Sequence, residues 1–262
     1  MVTKIVGILN ITPDSFSDGG KFLTLEKIFQ HLQKMLDDGA SIIDIGAEST
    51  RPNAQILSYQ QEWQRLEKLL PAIINFVNDY NKINNKQIAI SLDSYHFENI
   101  AKAEAMGIKI INDVSGLVDI RIVELIAKKK LTVILMHNLA IHANPDLIIN
   151  PNLNINKEII KWAREKIIFL EKNGIKKSQI IFDPGIGFSK NSNQSINILK
   201  NIDSYRVLEV PIYIGHSKKS FLDAINIEGD RAKKTIAITK YLAKKRVEYI
   251  RVHDVKENYG AI

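Results

Sequence analysis

The strongest constraint on this chain is a rhythm. Eight short runs rich in β-branched and other apolar residues recur along its 262 residues, most of them separated by segments of helical length. They cover residues 4–11, 41–46, 87–93, 108–114, 131–137, 180–185, 211–216 and 248–254. Each is apolar nearly throughout, as a strand covered on both faces must be, where a half-exposed strand would alternate. Between the first two runs, residues 25–36 set Leu25, Ile28, Phe29, Leu32, Met35 and Leu36 on one side of a helix before Asp37-Asp38-Gly39 stops it. Residues 158–170 repeat the pattern through Ile159, Trp162, Ile167 and Leu170, ahead of Asn173-Gly174. Strand then helix, eight times over, predicts an α/β fold: a single-domain (β/α)8 TIM barrel over residues 1–262. A doubly wound sheet is the alternative, but eight units suit closure better. Residues 138–156 read as one long Asn- and Pro-containing loop. The segment after residue 254 is too short for a full closing helix.

Composition narrows the chemistry. With 45% hydrophobic residues the chain can bury a real core, which excludes global disorder. The absence of cysteine removes disulfide scaffolds, thiolate nucleophiles, iron–sulfur clusters and cysteine-ligated zinc, and it fits a reducing, cytoplasmic setting. No apolar run approaches the ~20 residues of a membrane helix, and the first residues do not read as a signal peptide. The net charge of +7 invites a nucleic-acid reading. Yet 28 of the cations are Lys and only 8 are Arg, whereas nucleic-acid surfaces favour Arg for bidentate and stacked contacts. Lys128-Lys129-Lys130 ends a predicted helix, where cations complement the dipole. The expected partners are therefore small molecules, with no nucleic acid and no membrane.

In a barrel, the active site lies on the face formed by the C-terminal ends of the strands. Those ends carry Asn10, Asp44 with Glu48, Asp93, Asn112, His137, Asp183, Ser217 to Ser220, and Arg251 with His253. Asn and Asp are ordinary turn and cap residues, so one alone means little, but eight successive polar ends exceed what capping needs. Asp93, Asn112 and Asp183 are acceptor-rich and suit a flat heterocycle displaying several N–H donors, because a carboxylate can take two adjacent N–H groups. Arg51, Lys218, Lys219, Arg251 and His253 suit an anion. Residues 215–220 leave a strand and enter a helix, so free backbone N–H groups and hydroxyls would meet a carboxylate or phosphate. Period-two spacing puts Arg251 and His253 on one strand face. Asp44 either braces the second loop or contacts the ring edge, and support from behind is the favoured reading. A donor-rich ring beside an anionic group looks like a pterin or purine phosphate ester.

From end to end the chain resembles the dihydropteroate synthases. The carriers are Gly7-Ile-Leu-Asn-Ile-Thr-Pro-Asp-Ser-Phe-Ser-Asp-Gly-Gly20 and Ile45-Gly-Ala-Glu-Ser-Thr-Arg-Pro52. Further matches are Ser91-Leu-Asp-Ser94, Ile111-Asn-Asp-Val-Ser-Gly116, Leu135-Met-His137, Phe182-Asp-Pro-Gly-Ile-Gly-Phe188, Gly215-His-Ser-Lys-Lys-Ser-Phe221 and Arg251-Val-His-Asp254. The resemblance implies condensation of a dihydropterin-methyl diphosphate with 4-aminobenzoate, with Mg2+ assisting, and inhibition by sulfonamides. It implies that the pterin ring meets Asp93, Asn112, Asp183 and Lys219, and that the diphosphate meets Thr50, Arg251 and His253. Asn10 would lend an oxygen to the metal. Phe16, Pro52 and Phe188 resemble the aromatic wall for 4-aminobenzoate, whose carboxylate would meet Ser220. Asp18 would hold a pterin-methyl cation, with Arg51 pairing to it and closing the pocket.

Four positions depart from that pattern. Lys218 stands where Arg is common, and Asn138, Ser189 and Asn53 stand where Gly is usual. These put loop shape in question more than chemistry. Family members normally form homodimers through their last helices, so the short tail points either to natural clipping or to an excerpt of a longer, fused folate-pathway protein. Two rivals use the same barrel: a folate-dependent methyltransferase and a non-catalytic pterin-binding paralogue. The first should lack the two loop signatures, and the second should carry damaged ones.

Overall fold

A computed structural model describes residues 2–11, 25–49, 55–141 and 147–262. Eight strands run parallel: β1 (Lys4–Asn10), β2 (Ile42–Gly46), β3 (Ala89–Asp93), β4 (Ile110–Asp113), β5 (Thr132–Met136), β6 (Ile180–Asp183), β7 (Tyr213–Gly215) and β8 (Tyr249–Val252). Their order is β6-β5-β4-β3-β2-β1-β8-β7. A parallel bridge from Phe182 to Ile212 joins the two ends, so the sheet curls into a barrel. All eight predicted runs hold a strand, each trimmed at one end or both. The helices between them are α1 (Leu25–Asp37), α2 (Tyr59–Leu66), α3 (Leu69–Asn84), α4 (Phe97–Ala105), α5 (Ile120–Lys129), α6 (Ile155–Lys172), α7 (Ser192–Lys200), α8 (Arg231–Lys244) and α9 (Val255–Tyr259).

Period-two alternation sorts each strand into two faces. Ile5, Leu9, Ile43, Ile45, Leu92, Ile111, Val133, Leu135, Phe182 and Ile214 face the helices and join one large core. That core takes in the buried stripe Ile28, Leu32, Met35 and Leu36 of α1. The opposite residues form a separate plug inside the barrel, one from each strand: Val6, Ile42, Ala89, Ile110, Ile134, Ile181, Tyr213 and Tyr249. A filled interior makes this a scaffold with a site at its mouth, not a pore.

Two predicted boundaries move. Asn154 accepts from the amides of Asn156 and Lys157, capping α6, so that helix begins at Ile155 and the long loop ends at Asn154. The expectation of a helix directly after residues 215–220 also changes, because Ser220–Ala224 is a short 3-10 turn. The segment after β8 forms α9, which packs onto the barrel. Asn258 of α9 is buried and accepts from Thr239 Oγ1 at 2.6 Å, while Val255 packs into the core. Gly7 makes room for this docking, since a Cβ there would lie 3.0 Å from Met35 Sδ and 3.1 Å from Val255 Cγ2.

Candidate active site

Two residues beyond the apolar plug, the inward face turns polar. Ile8, Asp44, Ser91, Asn112, Met136, Asp183, Gly215 and Arg251 occupy that level by the same alternation. Asp44, fully buried, is the hub. Ser91 Oγ donates to its Oδ1 at 2.5 Å, while Asn112 Nδ2 at 3.0 Å and Arg251 Nε at 2.6 Å both donate to its Oδ2. One level higher, Arg251 Nη2 donates to Asp93 Oδ2 at 2.7 Å. The expected ring acceptors Asp93 and Asn112 are neighbours, paired directly across the β3–β4 ladder. Arg251, assigned by resemblance to the diphosphate, here lies across the carboxylates of Asp44 and Asp93.

Charge in this confined space is expensive unless paired. Burial raises the Asp93 carboxyl above the ordinary carboxylate range, with the Arg251 guanidinium pulling the other way. Burial likewise works against the Arg251 charge, but Asp44 and Asp93 outweigh it and hold the guanidinium protonated. The Asp183 carboxyl is also raised by burial, opposed by Lys219, the Gly185 amide and Lys190.

Asp183 ends β6, and its Oδ1 accepts from the Gly185 amide at 2.7 Å, which aims the carboxylate into the mouth. The chain then turns through Gly185 and Gly187, at φ of +69° and +77°. Lys219 crosses to this turn, donating from Nζ to the Ile186 carbonyl and lying 4.5 Å from the centroid of the Phe188 ring. Desolvation draws the Lys219 ammonium down to about 8, with Asp183 partly restoring it. Lys219 thus lies over the Phe188 ring and within the electrostatic reach of Asp183.

His137 does not join them. It was expected among the polar strand ends, but the alternation makes Met136 the inward residue of β5 and turns His137 toward the helices. Its ring meets Trp162 of α6 edge-on at 4.9 Å, and its Nδ1 lies 3.0 Å from Lys190 Nζ. Burial and Lys190 push the imidazole down to about 2, so it is neutral. Sequence reasoning missed Lys190. Almost fully buried, it also donates to the carbonyls of Phe188 at 2.7 Å and His137 at 3.3 Å, tying the Phe188 turn to β5. A lysine two residues past the aromatic, inside a run of Gly and small polar residues, was the only signal.

The anion side is narrower than its sequence suggests. His216 turns away from the mouth, its Nε2 3.0 Å from the Thr235 carbonyl. The amide of Lys218 donates to Thr235 Oγ1 and that of Lys219 to the His216 carbonyl, so neither is left for a ligand. Lys218 pairs with Asp254 at 2.8 Å. Ser220 is exposed at the start of the 3-10 turn, and His253 lies with its Nδ1 3.0 Å from Ser217 Oγ. Asn10 is half-buried at the end of β1. Phe16, Asp18, Thr50, Arg51 and Pro52 lie outside the described residues.

Two of the departures from the family pattern meet in space. Ser189 holds a φ of +50°, a conformation that explains the usual glycine there. Its hydroxyl donates to Asn138 Oδ1 at 2.9 Å and accepts from the Leu139 amide at 3.3 Å. The two substitutions therefore stitch the loop after β5 to the turn that carries Phe188.

Comparison with known proteins agrees with this geometry. Residues 6–253 match the family described as pterin binding enzyme. The dihydropteroate synthase of Streptococcus pyogenes serotype M6 is 36% identical over 263 residues, covering 98% of this chain and 92% of the relative. A probable bifunctional folylpolyglutamate synthase/dihydropteroate synthase of Haloferax volcanii is 33% identical over 99% of this chain, which spans only 30% of that longer relative. Among solved structures, dihydropteroate synthase from Anaplasma phagocytophilum with bound 6-hydroxymethylpterin-monophosphate superposes with a TM-score of 0.88 at 35% identity, covering 100% of this chain and 97% of that one. The Xanthomonas albilineans enzyme with 4-aminobenzoic acid gives 0.86 at 28% identity, covering 99% and 90%. With its barrel, its acceptor-lined mouth and these relatives along its whole length, the chain belongs to the dihydropteroate synthase family of pterin-binding enzymes.

Proposed function

We propose that the chain joins (7,8-dihydropterin-6-yl)methyl diphosphate to 4-aminobenzoate, giving 7,8-dihydropteroate and diphosphate. The observation that carries this is the mouth itself: Asp93, Asn112 and Asp183 stand at or next to the ends of β3, β4 and β6, with Arg251 bonded to Asp93 and Lys219 close enough to Asp183 to feel its charge. A ring with several N–H donors satisfies those acceptors, whereas water would be needed to satisfy them otherwise. Phe188, beside Lys219, provides an aromatic wall for the second substrate. The relatives named above carry a pterin phosphate in one structure and 4-aminobenzoic acid in another, which supports both halves of the reading.

In this scheme the C–O bond to the diphosphate breaks first, and the electron pair leaves with the phosphate oxygen. Arg251 and His253, with Thr50, hold the departing group, and Asp18 faces the pterin-methyl cation. The amine of 4-aminobenzoate then forms the C–N bond and loses a proton. Its weak basicity keeps the lone pair available at neutral pH, so no strong general base is assigned. Arg51, paired with Asp18, closes the pocket with Phe16 and Pro52, which keeps water from capturing the cation. Ser220 meets the benzoate carboxylate.

Mg2+ fits this arrangement only as a companion of the diphosphate. Asn10 offers one amide oxygen, and among the described residues no cluster of three His, Asp or Glu gathers to hold an ion. Mg2+ keeps waters and takes phosphate oxygens readily, so Asn10 would be one ligand among those. Bound there, the ion would offset charge on the leaving group. We assign the protein to the cytoplasm, acting as a homodimer in the manner of its family.

The test is diphosphate release from the dihydropterin-methyl substrate, with and without 4-aminobenzoate and Mg2+. Release that depends on both is expected, together with competitive inhibition by a sulfonamide against 4-aminobenzoate. No release under any condition would identify a binding paralogue, and methyl transfer from a methylated folate would identify the methyltransferase. The pH profile of kcat/KM for the pterin substrate should be bell-shaped. Asp93 and Asp183 can accept from two adjacent N–H groups with both oxygens only when ionised, and burial raises both. Activity is therefore lost on acidification at a pH above the usual carboxylate range of about 4. On the alkaline side it falls near pH 8 as Lys219 gives up its proton. A flat profile between pH 5 and 9 would contradict this assignment.

A further inference from the structure

Asp44 touches no bulk solvent, and three donors already occupy it. Among the described residues its hydrogen-bond partners are Ser91, Asn112 and Arg251, all on strands of the barrel. Two of its donors, Asn112 and Arg251, are the groups assigned to the two halves of the pterin diphosphate. We propose that Asp44 is the positioning residue of the mouth: it aims the Asn112 amide at the ring, and it balances Arg251 from below so that Arg251 can release Asp93 to the pterin. This rests on the substrate assignment above.

The reason lies in a competition. Arg251 Nη2 holds the same carboxylate of Asp93 that the ring requires. Among the described residues, Asp44 and Asp93 are the two carboxylates within ion-pair distance of Arg251. While Asp44 keeps Nε, the guanidinium can swing its outer nitrogen away from Asp93 without becoming a buried, unpaired cation. The freed nitrogen then faces the mouth, where the diphosphate arrives. Without the Asp44 charge, Asp93 is left as the anion that holds Arg251, and the ring has to displace it from its remaining partner.

Asp44→Asn tests this, because it keeps the shape and the hydrogen bonds. Its amide oxygen can still accept from Asn112 and Arg251, and its NH2 can donate to Ser91 Oγ. Only the charge is removed. The expected result is a rise in KM for the pterin diphosphate at least fivefold greater than any rise in KM for 4-aminobenzoate, whose wall at Phe188 lies on the turn after β6. A smaller ratio overturns the proposal, including the case where both KM values rise together, which is the signature of general damage. Wild-type diphosphate release is measured alongside. If the wild type is inactive, the substrate assignment fails, and binding of 6-hydroxymethylpterin by calorimetry decides the role of Asp44 by the same fivefold criterion.

Should the variant not fold, the wild type supplies a second measurement. The Arg251 Nε–H resonance, identified by its loss in Arg251→Lys, should remain in slow exchange when 6-hydroxymethylpterin and inorganic diphosphate are both added, because its bond to Asp44 is kept. Its passage into fast exchange overturns the proposal.

Discussion

Asp183→Ala should lower kcat/KM for the pterin substrate by roughly 100-fold or more, with the protein still folded by circular dichroism. A buried charge-assisted hydrogen bond is worth about 1.5–3 kcal/mol, and a carboxylate facing adjacent N–H groups makes two. The substitution also strips the Gly185 amide of its 2.7 Å acceptor and removes the anion that supports the Lys219 charge. Asp183→Asn separates these effects. It keeps an oxygen for Gly185 but presents an amide to the ring, so the loss in kcat/KM should persist. Because Asp183 partly restores the Lys219 ammonium, its neutralisation should also move the alkaline limb of the pH profile to lower pH. Activity within tenfold of wild type in the Ala variant would remove Asp183 from the ring pocket.

Gly185→Ala should be nearly as damaging, through the backbone. A Cβ at this position would lie 2.1 Å from the His137 carbonyl oxygen, and the residue sits at φ +69°. Neither problem has a cheap escape, because the obstacle is main chain. The left-handed conformation alone costs an L-residue about 1–2 kcal/mol, so a stability loss of at least about 2 kcal/mol by denaturant titration is expected. The turn must shift, and with it the Ile186 carbonyl that receives Lys219, the Phe188 ring and the Lys190 anchor. A displacement near 1 Å at a catalytic contact costs on the order of 100-fold in rate. A variant with stability and turnover both near wild type would show that the turn is not held as described.

Much of the architecture was legible in residue order. A strand buried on both faces needs a continuous apolar run, and an amphipathic helix needs its own period, so the eight runs and the stripe of α1 appeared without any tertiary information. The caps were less so: Asn154 starts α6 three residues before its periodic pattern becomes plain, because a capping side chain carries no hydrophobic signal. The proposed ring acceptors Asp93, Asn112 and Asp183 could be chosen because their type suits a donor-rich heterocycle. Lys190 could not, since a lone lysine near a glycine-rich turn reads as surface until its burial is known.

What the sequence determined by itself is the alternation of buried strands and amphipathic helices, and with it a barrel whose strand ends carry polar groups. That information is local, written in hydrophobic period and turn chemistry. The tertiary structure decided which of those groups look into the mouth. One residue of register separates Met136, which faces inward, from His137, which packs against Trp162 and stays neutral. It also made Asp44 the hub of a hydrogen-bond network, because its partners Ser91, Asn112 and Arg251 arrive from three other strands. A side chain's charge is a property of the residue, but what it is paired with depends on how the strands close around it.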